Sequence, residues 1–328
     1  MTTTELKTGK CELFMPVNTD KMRAFFRKKD KRMHKKLTTV KEAVEKYVKD
    51  GDYLSVGGFG GNRIPTALLH EIVRQKRKNL GLSGHTATHD CQILASTKCF
   101  NRCDIAYVIG LEARGLSRNA GKLFESGEIK FTEWTNAALA WRYKAAAMGI
   151  PFMPARTMMG TDTFEYSAAK EILCPFTGQK LVALPALYPD VALIHVHRAD
   201  IYGNCQIDGI IVSDDDLAKA SKKVVVTTEK IITNDEIRRE PNNTTIPYWC
   251  VDAVIELPFG AYPSNMAGEY FSDEEHLREW LDAEKDEAAF SKFLEKNIFS
   301  CRDFYEYLNK NGGVEKIMKL RHMEYLID

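Results

Sequence analysis

Between residues 53 and 73 a short strand pattern, Tyr53-Leu54-Ser55-Val56, runs into Gly57-Gly58-Phe59-Gly60-Gly61-Asn62-Arg63 and then into a helical pattern opened by Pro65. Pro65 falls where a helix loses least from a missing N–H. Ala67, Leu68, Ile72 and Val73 recur at the spacing of one buried helix face. A strand that turns through bare backbone straight into a helix is a unit of α/β layer folds.

The alternation continues. Short apolar runs at 104–109, 181–184, 191–196, 224–227 and 251–257 are separated by helical segments such as 133–148. This predicts an α/β fold with an open, mostly parallel sheet. Upstream, Val40, Ala43, Val44 and Tyr47–Val48 form a helix that ends at Asp50-Gly51-Asp52. After about residue 270 the strand runs stop, and 273–311 reads as acidic amphipathic helices. The chain therefore divides into an N-terminal arm over 1–36, an α/β domain over 37–270 and a helical C-terminal extension over 271–328 packed on the same domain.

The arm is basic: residues 21–36 hold nine Lys or Arg against one acid, Asp30. Its two readings are a contact to nucleic acid or another anion, and a solvated helix lying on a neighbouring subunit. The rest of the chain offers no basic face, which favours the second. A net charge of +1 likewise gives no global field for nucleic acid or membrane. No run approaches the ~18 apolar residues of a membrane span, and the N-terminus lacks a signal-peptide core. A cytoplasmic protein is expected, with its eight scattered cysteines kept as thiols.

A glycine-rich loop between strand and helix brings backbone N–H groups close to an anion. Two nucleotide versions fail on spacing. Counting G-x-G-x-x-G from Gly58 and Gly60 puts Arg63 at the third glycine, and no Gly-Lys-Ser/Thr precedes the helix. A tight turn with close strand–helix packing is the remaining local reading. His85-x-x-x-His89-x-Cys91 lacks the His-Glu-x-x-His arrangement, and His195 and His197 share one side of a strand. No metal site is expected from them.

The loop has another match. Asp50-Gly51, the strand, Gly57-Gly58-Phe59 and Pro65 six residues further on resemble the motif of the A (alpha) subunits of family I CoA-transferases. That motif has glycine two before the proline; Arg63 stands there instead, as in the glutaconate CoA-transferase branch. The resemblance spans about 38 to 312. It recurs in Leu184-Pro185-Ala186-Leu187 with Pro189-Asp190-Val191-Ala192, in Ile194-His195 through Ala199-Asp200 to Gly203-Asn204, in Ile232 to Pro241, in Cys250 to Val254 and in Phe259 to Ser264.

What this resemblance implies is a parallel sheet with helices on both faces and a subunit that moves coenzyme A between carboxylic acids. The acyl-CoA, such as acetyl-CoA, is a substrate, and no permanently bound cofactor is implied. The nucleophile is a glutamate on a homologous B (beta) subunit, working through an acyl-glutamyl anhydride and a glutamyl-CoA thioester. No catalytic residue is expected on this chain, and a heterotetramer or larger assembly is expected with B. Glu112 follows a strand and is the local candidate for a nucleophile, against a salt-bridge or loop role.

The expected pocket and oxyanion contributors are Gly57, Gly58, Phe59, Gly60, Gly61, Arg63, Ser83, Gly84 and His85, with Glu112, Tyr262 and Ser264 as wall candidates. Arg63 is read either as the ligand of a distal substrate carboxylate or as half of a structural ion pair. A hydrolase, ring-opening enzyme or decarboxylase on the same scaffold is the alternative. Hydrolase-type relatives carry an acid in the segment that here reads Phe131-Thr132-Glu133-Trp134-Thr135-Asn136, where this chain places Asn136.

Overall fold

The computed structural model describes residues 5–108, 110–111 and 114–325. Its main sheet has nine strands. They are β1 (Tyr53–Val56), β2 (Leu80–Gly84), β3 (Phe100–Ile105), β4 (Lys130–Glu133), β5 (Val191–Ala199), β6 (Cys205–Gln206), β7 (Lys223–Ile231), β8 (Thr244–Ile246) and β9 (Ala253–Glu256). Seven of them lie parallel in the order 4-3-2-1-5-7-9. β6 and β8 add antiparallel ends beyond β5.

The order matters for function. From β1 the chain builds outward through β2, β3 and β4; it then returns to β5 on the other side of β1. The β1–β5 seam is thus the point where strand order reverses, and in open α/β sheets ligands bind beyond the strand carboxyl ends at such a point. The glycine loop leaves β1 there.

Alternation along each strand feeds two cores. Leu54, Val56, Leu82, Leu193 and Val225 pack on one face with the helices Val40–Tyr47, Thr66–Arg74 and His89–Ser96 and with Trp280 and Phe290 of the C-terminal helices. Tyr53, Ala192, Ile194, Val224 and Val226 pack on the other, with Leu139 and Tyr143 of the helix Asn136–Met148 and Leu217 of Asp214–Ala220. Both faces are covered, as the fold class requires.

Two expectations change. The run 181–184 does not join the main sheet; Lys180–Pro185 is the centre of a separate antiparallel sheet with Phe152–Ala155 and Lys170–Leu173. The basic arm packs on its own chain. Its helix Thr19–Lys28 buries Met22 against Ala145, Ala186 and Tyr188. Gly9 N–H donates to Ala169 O at 2.8 Å, Glu171 N–H to Lys7 O at 2.8 Å and Lys36 N–H to Ile201 O at 2.8 Å. Among the described residues, no helix is long and apolar enough to cross a membrane.

Candidate functional site

The glycine loop is stitched into four neighbouring elements. Gly57 N–H donates to Leu193 O of β5 at 2.8 Å, and Gly60 N–H to His85 O at 3.2 Å. Phe59 and Asn62 exchange backbone hydrogen bonds of 3.1 and 3.0 Å, closing the tip. Arg63 N–H donates to Asn265 O at 2.9 Å, and Asn265 N–H returns to Gly61 O at 3.0 Å. Gly58 N–H donates to the Asp214 carboxylate at 2.9 Å. Glycine is required for two reasons here. A Cβ on Gly57 would sit 2.5 Å from Asp214 Oδ1, and Gly58 has φ +84° with a Cβ position 2.4 Å from Asn62 O.

These bonds narrow the oxyanion expectation. The N–H groups of Gly57, Gly58, Phe59, Gly60 and Arg63 are committed inside the protein. Among the described residues the Gly61 N–H has no partner, and it lies at the half-buried tip.

Arg63 turns into the protein. Its side chain is fully buried; Nη2 meets Asp214 Oδ2 at 2.9 Å and Ile210 O at 2.8 Å, and Nη1 donates to His195 O at 3.3 Å. Burial works to raise the Asp214 carboxyl, but the Arg63 guanidinium and the Gly58 N–H overcome it and hold the group below its usual value. The carboxylate-ligand expectation for Arg63 is therefore replaced by its other reading, a structural ion pair beneath the loop. Arg63 also has φ +60°, a backbone conformation glycine adopts freely. That accounts physically for glycine at this position in the family motif.

The second expected segment meets the first. Thr88 Oγ1 donates to Gly60 O at 3.0 Å, joining the turn after β2 to the loop after β1. Ser83 points into the layer below, where its hydroxyl bonds Ser55 Oγ and accepts from the Tyr143 hydroxyl at 2.8 Å. Ser83 thus fixes the strand end instead of lining a pocket. His85 is buried, with Nε2 2.6 Å from Ser213 Oγ. Burial pushes its pKa down to about 4, so the ring is neutral at pH 7. Thr86 is held at its N–H by Asn136 Oδ1 (3.2 Å) and at its hydroxyl by Asn136 Nδ2 (3.0 Å). Asn136 is thus an amide bracing the turn after β2.

Sequence reasoning missed Asp90. Its carboxyl lies under Gly84, with Oδ2 3.0 Å from where a Gly84 Cβ would be. Burial raises its pKa to about 6, although the helix-start N–H groups of Cys91, Thr88 and Asp90 oppose the rise. Asp214 was missed too, the first acid of Asp214-Asp215-Asp216 at a helix start. Both carboxyls are buried. Neither offers an exposed oxygen for attack on a thioester.

The remaining candidates disperse. Glu112 lies outside the described residues. Tyr262 is no pocket wall: it is buried, donates to Asp273 Oδ2 at 2.7 Å and stacks on His276 at 5.8 Å between ring centres. It joins the sheet to the C-terminal helices. Ser264 is buried beside it in the turn whose N–H returns to Ala261 O at 2.9 Å. The histidines take separate partners: His89 faces Gln92, His195 faces Thr227 and Glu229, and His197 faces Ala267 O. None of the eight cysteines forms a disulfide.

A glycine loop at the switch point of a parallel sheet, with most of its N–H groups bonded inward, is the feature that defines this α/β protein. Comparison with known proteins gives the family. Residues 37–257 match the coenzyme A transferase family, and the chain belongs to it. It is 48% identical over 299 residues to an uncharacterized protein of Archaeoglobus fulgidus, covering 91% of this chain and 67% of that one. It is 35% identical over 302 residues to the A subunit of glutaconate CoA-transferase from Acidaminococcus fermentans, covering 86% of this chain and 93% of the relative. The crystal structure of that enzyme superposes with a TM-score of 0.82 over 87% of this chain and 95% of that one, at 33% identity. The A subunit of 3-oxoadipate CoA-transferase from Pseudomonas knackmussii is 33% identical over 84% of this chain and 97% of its own length.

Proposed function

We propose that this chain is the A subunit of a two-chain CoA-transferase that exchanges coenzyme A between an acyl-CoA, such as acetyl-CoA, and a dicarboxylic acid such as glutaconate. The observation that carries this reading is the glycine loop: a backbone cradle at the switch point beside which the carboxyls of Asp214 and Asp90 are both buried. Such a chain shapes a pocket without supplying a nucleophile. Glutaconate and 3-oxoadipate, the acids in the names of two relatives, are both dicarboxylates, which supports the substrate class.

In the proposed reaction a glutamate carboxylate of the partner chain attacks the acyl-CoA carbonyl and expels the CoA thiolate, leaving a mixed anhydride. The thiolate then attacks the glutamyl carbonyl of that anhydride, releasing the acyl group as its carboxylate and forming a glutamyl-CoA thioester. The incoming acid reverses both steps. Each tetrahedral intermediate needs an N–H donor aimed at its oxyanion. The proposed assembly is a heterotetramer or larger.

The test is co-expression with the homologous B chain, followed by exchange of labelled acetate into acetyl-CoA and mass spectrometry of both chains. The expected result is exchange by the complex alone and a CoA adduct on a glutamate of the partner. Full exchange by this chain by itself would defeat the division of labour. Net acyl-CoA hydrolysis, ring opening or decarboxylation without an adduct would assign the complex to the alternative reactions.

A further inference from the structure

With Arg63 buried, a different cation stands at the half-buried tip of the loop. A side chain on Gly61 would point at Arg114, whose Nη2 and Nη1 lie 3.7 and 3.9 Å from the position of its first carbon. Arg114 is fixed by Glu274, with Nε to Oε2 at 2.8 Å and Nη2 to Oε1 at 2.6 Å, and Glu274 is itself braced by the Ser272 hydroxyl at 2.6 Å. That grip takes one edge of the guanidinium. Nη1 has no hydrogen-bond partner among the described residues, and neither has the Gly61 N–H beside it.

We propose that Arg114 Nη1 and the Gly61 N–H form a carboxylate-binding pair that selects dicarboxylic over monocarboxylic acids; as a statement about substrate class it rests on the transferase reading above. The Glu274 pairing cancels net charge, so recognition is through directed donors and not through a field. Two N–H bonds of Nη1 and one of Gly61 are left without a partner at the same loop tip, and a second carboxylate has oxygens to accept them. A monocarboxylic acid leaves those donors to water and gains nothing from them.

The experiment uses the complex with the partner chain. Binding of glutarate and of butyrate is measured by calorimetry without acyl-CoA, alongside acetyl-CoA:acetate exchange. Arg114→Gln is expected to weaken glutarate roughly 10- to 100-fold, the worth of losing hydrogen bonds between charged groups, and to leave butyrate and exchange within about twofold. Gly61→Ala keeps the backbone, since its nearest neighbour is at 3.7 Å, and places a methyl against Arg114 Nη2 and Nη1. It is expected to show the same selectivity loss with an unchanged melting temperature. Equal losses for both acids, a loss confined to acyl-CoA, or no change would overturn the assignment. If the wild-type complex exchanges no CoA yet its glutarate binding depends on Arg114, the transferase reading fails and the Arg114 assignment stands. Exchange with Arg114-insensitive glutarate binding gives the reverse.

Discussion

The Arg63 guanidinium and the Asp214 carboxylate meet at 2.9 Å with both side chains shut away from solvent. Asp214 also takes the Gly58 N–H, so this one carboxylate ties the glycine loop to the helix Asp214–Ala220. The relation converts a residue that looks like a substrate ligand into a foundation for the loop.

Removing one partner strands the other as a buried, uncompensated charge. Arg63→Met and Asp214→Ala are each expected to cost about 3–5 kcal/mol in urea unfolding. Arg63→Met combined with Asp214→Leu should recover part of that loss. Because Arg63 has φ +60°, Arg63→Gly should be about 1 kcal/mol less damaging than Arg63→Ala. An Arg63→Gln protein with unchanged stability and a selective defect toward dicarboxylic acids would return the residue to the pocket.

The glycines of the loop are not equivalent. Gly58→Ala combines φ +84° with a clash at 2.4 Å against backbone, and Gly57→Ala a clash at 2.5 Å against Asp214. Each is expected to cost about 1–3 kcal/mol and most of the CoA exchange. Gly60→Ala has φ +58° but no neighbour closer than 3.8 Å, so about 1 kcal/mol is expected. Melting curves paired with exchange rates for the three variants check the ranking.

Much of this was open to sequence reading. Period-two strands and period-3.6 helices, alternating, give the fold class, and bare glycines after β1 mark the loop at the switch point. Partnerships across the chain were hidden. Arg63 and Asp214 are 151 positions apart, and nothing local tells Asp214 from the two acids that follow it. Tyr262 resembles a pocket residue until the C-terminal helices supply Asp273 and His276. Lys180–Pro185 has the apolar pattern of a sheet strand, but which sheet it joins depends on Phe152–Ala155 and Lys170–Leu173. Those partners are mostly half-buried or exposed and carry a weak pattern.

Stability should fall on acidification. Burial lowers His85 from 6.5 to about 4 and His89 from 6.5 to about 3. Below pH 6.5 the unfolded histidines take up protons that the folded ones refuse, so stability present above 6.5 is lost as the pH drops toward 4. Asp90 acts in the opposite sense: burial raises it from 3.8 to about 6, so its stabilising share is present below 3.8 and lost as pH rises through 6. Burial lowers His70, His197 and His276 as well, in the same sense as His85 and His89, and a net loss is expected between pH 6.5 and 4. Asp90→Asn should steepen that loss and His89→Gln should flatten it. Urea midpoints across the range are the measurement, and a flat wild-type profile would sink the account.

The arm provides the last test, because its charge and its packing make different predictions. Met22 is buried against the helix Asn136–Met148, and Lys29, with a side chain only 7% exposed, pairs with Asp252 at 2.7 Å. Lys36 N–H and Thr38 N–H bond Ile201 O and Val254 O at 2.8 and 3.0 Å, carrying the chain into the main sheet. Deleting residues 1–36 therefore uncovers apolar surface and leaves backbone groups unpaired. It is expected to cost about 3 kcal/mol or more and to lower the melting temperature of the complex. Exchanging the exposed Lys21, Lys28 and Lys35 for Gln removes three positive charges and none of these contacts. Stability should then change by no more than about 0.5 kcal/mol. If the arm instead served a nucleic acid, the triple variant would weaken that binding and flatten its salt dependence while the fold stayed intact. A truncated complex that melts with the full-length one would show that the packing seen here contributes nothing.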